Sequence, residues 1–194
     1  KGFLIGEMSK ERIAFIGIGV MGKSMAGHLL DAGYPVSVYN RTKSKADDLV
    51  ARGAEWREAP ADAAADADVV IENYRPGVKH RLGIDYDTLK ELNPRLIYGS
   101  ISGFGQQGPY RDRPGFDQIA QGMGGLMSIT GEPGRGPMRV GIPIADLCTG
   151  LFCALGIMTA LIERDKSGEG QWLHSSLLQS QLFMLDFQAA RWLM

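Results

Sequence analysis

Asp146 stands immediately before Leu147–Ile162, the longest apolar run in the chain (LCTGLFCALGIMTALI). A carboxylate where a helix begins can accept hydrogen bonds from free backbone N–H groups. The positive end of the same helix is expected to lower its pKa and keep it ionised. By position alone a structural cap is the ordinary reading, and an ionised, accessible carboxylate is also a nucleophile. A second group is Gly17, Gly19 and Gly22, spaced G-x-G-x-x-G in FIGIGVMGKSMAGHLLDAG. That spacing suits a tight turn, a close backbone approach to a diphosphate and close packing of helix on strand. Glycines that merely make a tight turn would look the same.

The next apolar stretch, PVSVYN, runs into Asn40, Arg41 and Thr42. An NAD-binding fold places an Asp or Glu there to accept from the ribose 2′-OH. An arginine and a hydroxyl can instead grip a 2′-phosphate, which favours NADP(H), although Arg41 could also be simply solvated. His28, His80 and His174 have no spacing that suggests a ligand set, so no metal site is expected.

These residues need elements to hold them. Ile13–Ile16 reads as a buried strand, and Met21, Met25, Leu29 and Leu30 give the following segment a helical period. Further strands are expected near 35–39, 68–71 and 95–101, with QWLHSS adding one before a last apolar helix. APADAAADAD reads as a short helix, and Asp85 caps another that ends at Pro94. A helical stretch is expected from Asp117 through the helix after Asp146. GFGQQGPYRDRPG is too rich in glycine and proline for regular structure; it is either a ligand-bearing loop after a strand end or a surface linker. The fold class is α/β: a Rossmann-like parallel sheet with flanking helices, incomplete at its C-terminal end.

With 194 residues, 44% hydrophobic and 22% charged, the chain has the composition of an ordinary soluble domain or a little more. Its net charge of −1 gives no footprint for nucleic acid or an acidic membrane. The run Leu147–Ile162 is short of the ~20 residues of a membrane span, so a buried core helix is expected and no membrane contact. Cys148 and Cys153 point apart on a helix and cannot bridge within it, which fits a reducing cytoplasm. The chain opens KGFLIGE before Met8, so Met8 reads as the natural start.

Two resemblances divide the sequence. FIGIGVMGKSMAGHLLDAGYPVSVYNRT resembles the amino terminus of the β-hydroxyacid dehydrogenases, the group of 3-hydroxyisobutyrate and 6-phosphogluconate dehydrogenases, over roughly Arg12 to Ile71. It implies NADP bound through Gly17, Gly19, Gly22, Asn40, Arg41 and Thr42. From Asp68, ADVVIENYRPGVKHRLGIDYDTLKELNPRLIYGSISGFGQQGPYRDRPGFDQIAQGMGG and MRVGIPIADLCTGLFCALGIMTALIERDKSGEGQW resemble the family III CoA-transferases, which include the α-methylacyl-CoA racemases. The organisation expected is a Rossmann-type segment over 8–71 and a partial transferase domain over 68–194. The seam lies in the strand 67–71, which both architectures share.

The second resemblance implies that Asp146 is the nucleophile of a transfer of CoA between an acyl-CoA and a carboxylic acid, through an aspartyl-CoA thioester. Asn73, Tyr74, Val78, Arg81 and Leu82 fall on positions that line the CoA site, with Arg81 either pairing a phosphate or facing solvent. Racemases of this group carry a histidine where Phe116 stands, and phenylalanine cannot move a proton, so transfer is favoured. The family also implies a homodimer and a longer chain than this one. The remaining readings are an NADP(H)-binding fragment without turnover and a chimeric join without function.

Overall fold

The computed structural model describes residues 10–194; Met8 and the residues before it lie outside them. The chain alternates strand and helix. Its elements are β1 (Ile13–Ile16), α1 (Val20–Asp31), β2 (Val36–Tyr39), α2 (Asp47–Ala51), β3 (Glu55–Trp56), α3 (Pro60–Ala65), β4 (Val69–Glu72), α4 (Pro76–Leu82), α5 (Tyr86–Leu92) and β5 (Ile97–Ser102). They continue with α6 (Asp117–Met123), α7 (Ile144–Ser167), β6 (Trp172–Ser176), α8 (Leu177–Phe183) and α9 (Phe187–Leu193). Packing divides the described residues into two compact units, 10–70 with Leu82–Leu96, and Ile71–Arg81 with Ile97–Met194.

In the first unit β1 pairs in parallel with β2, β2 with β3, and Ile13 of β1 with Val69 of β4. Parallel neighbours need crossovers, which is why a helix follows nearly every strand. The core is Ile18, Ala26, Val36, Val38, Ala46, Leu49 and Ala54, closed by Phe15, Leu29, Leu30, Tyr34 and Trp56. The alanine-rich stretch forms α3 as expected, with Pro60 in its first turn, where a missing N–H costs nothing. Asp85 caps α5: one carboxylate oxygen accepts from the Thr88 N–H at 3.2 Å and the other from its hydroxyl at 2.9 Å. The two-residue β3 was not anticipated; it is too short for an alternating pattern to register.

In the second unit β5 and β6 pair in parallel from Tyr98↔Trp172 to Ser102↔Ser176. Helix α7 packs on both strands through Cys148, Thr149, Cys153, Ile157, Ala160 and Arg164. The expectation of a wholly buried helix needs correction. Leu147, Leu151, Leu155, Met158 and Ile162 recur at helical spacing on the other side and are 50% to 65% exposed. Apolar residues occupy both faces, and the unit covers one. Helix α7 is also longer than its apolar run, and by length and mean hydropathy (1.9) alone it could cross a membrane, as could many core helices. Nor is 117–144 continuously helical: α6 stops at Met123, a single 3-10 turn covers Leu126–Ile129, and irregular chain leads to α7.

After β5 the chain makes a long loop whose ends meet at Gly103 and Gly115. A methyl group built on Gly103 would lie 2.4 Å from the Gly115 Cα, and one on Gly115 would lie 2.2 Å from the Gly103 Cα. Only two residues without side chains can close the loop this tightly. The Gly103→Ala substitution should therefore cost about 1–3 kcal/mol of stability or more, because backbone must move on both sides. Gly141→Ala, where a methyl meets nothing within 4 Å, should change stability by less than about 0.5 kcal/mol. Denaturant titration of both variants checks this, and equal midpoints would refute it.

Candidate active site

The Gly103–Gly115 contact leads directly to a cluster of carboxylates. Two residues past Gly115, Asp117 begins α6, and its buried side chain reaches the start of α7. Asp117 Oδ1 accepts from the N–H of Ala145 at 2.8 Å and of Asp146 at 3.3 Å, while Oδ2 accepts from Gln121 Nε2 at 2.6 Å. Gln121, fully buried, accepts from the N–H of Val140 at 2.9 Å through Oε1. Both side chains of α6 thus tie down the irregular chain ahead of α7. The first N–H groups of a helix have no partner within it, and here a side chain from another helix supplies one.

This corrects the sequence expectation for Asp146. It does not cap its own helix: Pro143 holds the N-cap position, no side chain of the N-cap residue closes the turn, and Asp146 lies inside the first turn. Its pKa is raised, not lowered. Partial burial is the larger cause and the charge of Asp117 the second. The helix end still favours a negative charge, but Asp117 already occupies the N–H groups that would have stabilised it. Asp146 remains exposed to solvent and reagents. A less well stabilised carboxylate that stays accessible is a stronger nucleophile than a capping one.

Of the positions expected to line a CoA site, Asn73 and Arg81 are exposed, Tyr74 and Val78 are half-buried, and half-buried Leu82 falls in the first unit. The Tyr74 N–H donates to Glu72 Oε2 at 2.7 Å, and burial followed by the Glu72 charge pushes the Tyr74 phenol upward. Phe116 is exposed next to Asp117. A cavity of about 540 Å³ lies elsewhere, lined among others by Met123, Ile129, Leu182, Leu185 and Arg191; Asp146 is not part of it.

Asp117, Lys79 and Glu72 were missed. Asp117 gave no signal, because its partners lie far along the sequence. Lys79 and Glu72 form a buried ion pair, Nζ to Oε1 3.1 Å. A lysine beside Val78 in a short helix, seven residues after a glutamate at a strand end, was the readable sign. Cys153 is buried with its thiol pushed upward by burial and then by Glu72, which makes it inert.

In the first unit the glycine turn has the predicted form. Gly17 has φ +102°, and a methyl on Gly22 would lie 2.4 Å from the Gly17 carbonyl oxygen. Gly19 precedes α1 as its N-cap. Asn40 is engaged within the turn. Its Oδ1 accepts from the Ile18 N–H at 3.0 Å and its Nδ2 donates to the Thr42 carbonyl at 2.8 Å, so it braces the turn from within. Arg41 and Thr42 are exposed.

Residues 34–194 match the family described as CoA-transferase family III. The match starts at Tyr34, inside the stretch that resembles the dehydrogenases and ahead of the seam placed at 67–71. The chain is 50% identical over 127 residues to a succinate–glutarate CoA-transferase of Agrobacterium fabrum, covering 66% of this chain and 32% of that protein. It is 42% identical over 132 residues to the human succinyl-CoA:glutarate CoA-transferase, covering 68% of this chain and 30% of that one. The crystal structure of a CAIB/BAIF family protein from Brucella suis superimposes with a TM-score of 0.72 at 31% identity, over 95% of this chain and 56% of that one. The chain spans about a third of the length of these curated relatives. A match that runs from Tyr34 to the last residue and takes in Asp117, Asp146 and the loop between them places this chain in CoA-transferase family III.

Proposed function

We propose that this chain carries the nucleophilic part of an enzyme that moves CoA from an acyl-CoA to a carboxylic acid, with Asp146 as the nucleophile. The observation that carries the reading is an exposed carboxylate, pKa raised, on the first turn of a helix whose N–H groups another carboxylate has already taken. An Asp146 oxygen attacks the thioester carbonyl, the C–S bond breaks, and an acyl-aspartyl anhydride and CoA thiolate result. The thiolate then attacks the aspartyl carbonyl and expels the donor acid as its carboxylate, leaving an aspartyl-CoA thioester. The acceptor carboxylate repeats the exchange in reverse and frees Asp146. No proton is gained or lost, so an exposed phenylalanine at 116 is no obstacle, whereas it would stop a racemase.

Asn73, Tyr74, Val78 and Arg81 are the residues we assign to CoA, with Arg81 free to meet a phosphate. The relatives named for succinate and glutarate make succinyl-CoA and a dicarboxylic acid the first pair to test. The glycine turn supports a separate reading, a dinucleotide held at Gly17, Gly19 and Gly22 with Arg41 and Thr42 exposed beside them. Equilibrium binding separates the two: CoA, not NADPH, is expected to bind, and Arg81→Ala is expected to weaken it about tenfold.

Incubation with succinyl-CoA should leave a CoA adduct on the peptide containing Asp146, detectable by mass spectrometry and removed by hydroxylamine. Asp146→Asn should abolish the adduct and reduce transfer on the order of 10³-fold or more. An adduct on another residue would refute the assignment.

The raised pKa carries a stability consequence with a definite sign. A carboxyl group that binds its proton more tightly when folded contributes stability below the unfolded carboxyl pKa of about 3.9, and that contribution is lost as pH rises through the folded value. The ionised form is therefore destabilising at neutral pH. Asp146→Asn should melt at a higher temperature than wild type at pH 7, with the gap closing toward pH 4. A gap that does not change with pH would contradict this account.

A further inference from the structure

The charged cluster that the proposed chemistry leaves unused is Lys79 with its neighbours. Lys79 is 3% exposed. Its Nζ donates to Glu72 Oε1 at 3.1 Å, Ser100 Oγ at 3.2 Å and Gln106 Oε1 at 2.7 Å. An ammonium has three donors, and these acceptors use them all. The Trp172 ring lies with its centroid 4.9 Å from Nζ, and Trp172 Nε1 donates to the same Ser100 oxygen at 2.9 Å. The cation is thus fixed from β4, β5, β6 and the long loop together.

That geometry determines how Gln106 is turned. An ammonium can only donate, so the amide must present its oxygen to Lys79, and the opposite sense would place two donors against each other. Its Nε2 then points away from the cluster. This nitrogen is buried and has no hydrogen-bond partner, in a residue only 8% exposed. Buried amide donors are nearly always satisfied, so an exception calls for a ligand or a reason. The pull of the ammonium on the carbonyl side makes the N–H groups stronger donors.

Gln106 belongs to the loop whose far end carries Asp117. Gln106 lies three residues beyond Gly103, whose contact with Gly115 closes the loop, and two residues past Gly115 Asp117 grips the N–H of Asp146. We propose that the Gln106 side-chain amide is a preset, uncharged hydrogen-bond donor for an oxygen of the acyl group. The oxygen is that of a thioester carbonyl or a free carboxylate, and Lys79 is the positioning residue that fixes the amide's sense. The identity of that ligand rests on the CoA-transfer reading. A neutral donor suits a reaction in which the same oxygen is in turn carboxylate, anhydride and thioester, since it meets each without demanding a charge.

The test reads the amide itself. In the full-length enzyme labelled with ¹⁵N and carrying Asp146→Asn, so that the ester is not consumed, the Gln106 NH₂ signals are assigned by their loss in Gln106→Glu. Succinate and succinyl-CoA are then added in separate titrations. A downfield shift of those signals with either is expected, and which one causes it identifies the oxygen held; no shift with either overturns the proposal. In the otherwise native enzyme, Gln106→Glu should raise the KM for the acid or the acyl-CoA about tenfold with the affinity for free CoA unchanged. Lys79→Arg, which also only donates, should keep the NH₂ signals and most of the affinity. A KM within about twofold of wild type for both substrates in Gln106→Glu counts against the proposal. Absence of an Asp146 adduct would end the CoA-transfer reading, while the succinate titration would still decide this one.

Discussion

The structure of the second unit depends on one carboxylate accepting hydrogen bonds across elements, Asp117 on the N–H groups of Ala145 and Asp146. Helix α7 begins after a proline with no cap of its own, so its free donors must be satisfied from outside. Asp117 does this from α6, and Gln121, one turn on, holds both Asp117 and Val140. A hydrogen bond to a charged group is stronger than a neutral one, on the order of 1.5–3 kcal/mol, enough to fix where the helix starts. The same interaction denies Asp146 the stabilisation a first-turn carboxylate usually receives and adds a like charge beside it. One contact therefore both orders the scaffold and adds to the effect of burial in raising the Asp146 pKa.

Lys79 shows the complementary arrangement. Its pairing with Glu72 is weak evidence for stability, since taking two charges out of water costs about what their attraction returns. What the ion pair provides is direction. With every donor committed, the ammonium holds Glu72 at the end of β4, Ser100 on β5 and Gln106 on the loop in one fixed relation. Glu72 in turn accepts from the Tyr74 N–H, which fixes the turn into α4. Polar groups are buried here in a saturated set, and the exception, the Gln106 amide nitrogen, is conspicuous for that reason.

Local signals in the sequence predicted what local physics controls. The periodicity of Ile13–Ile16 and the helix after it, the alanine-rich α3, the Asp85 cap and the strand at QWLHSS all formed. They depend on neighbours within one turn or one pleat. The start of α7 and the direction of the Asp146 shift were misread because tertiary packing decides both: partial burial raises the carboxyl first and the Asp117 charge second, and the helix-end rule assumes free N–H groups that a residue 29 positions earlier had taken. The bracing of the glycine turn by Asn40, whose amide folds back onto the Ile18 N–H, was likewise not legible. Helix α7 was read as buried because an apolar composition does not show which face will be covered. The family was legible, since motifs over much of the chain carry it, but Asp117, Lys79 and the sense of the Gln106 amide were not.

The distribution of charge fits the kind of chemistry proposed. A CoA transfer through a carboxylate exchanges anions for anions and moves no proton overall, so it has no need of a poised acid or base. The groups linked to Asp146 agree: Asp117, on its N–H, is held in hydrogen bonds, Gln121, bonded to Asp117, is neutral, and Phe116, preceding Asp117, cannot titrate. Lys79, a buried cation of the same unit, has all three donors committed within the protein, and one of them polarises the Gln106 amide. A free ammonium would bind a carboxylate tightly in the ground state and oppose its conversion to an anhydride, where that charge is lost. A neutral donor holds the oxygen through both states with little preference. On the proposal made for Gln106, the burial of Lys79 would let this unit use a cation's polarising power without presenting its charge to a substrate.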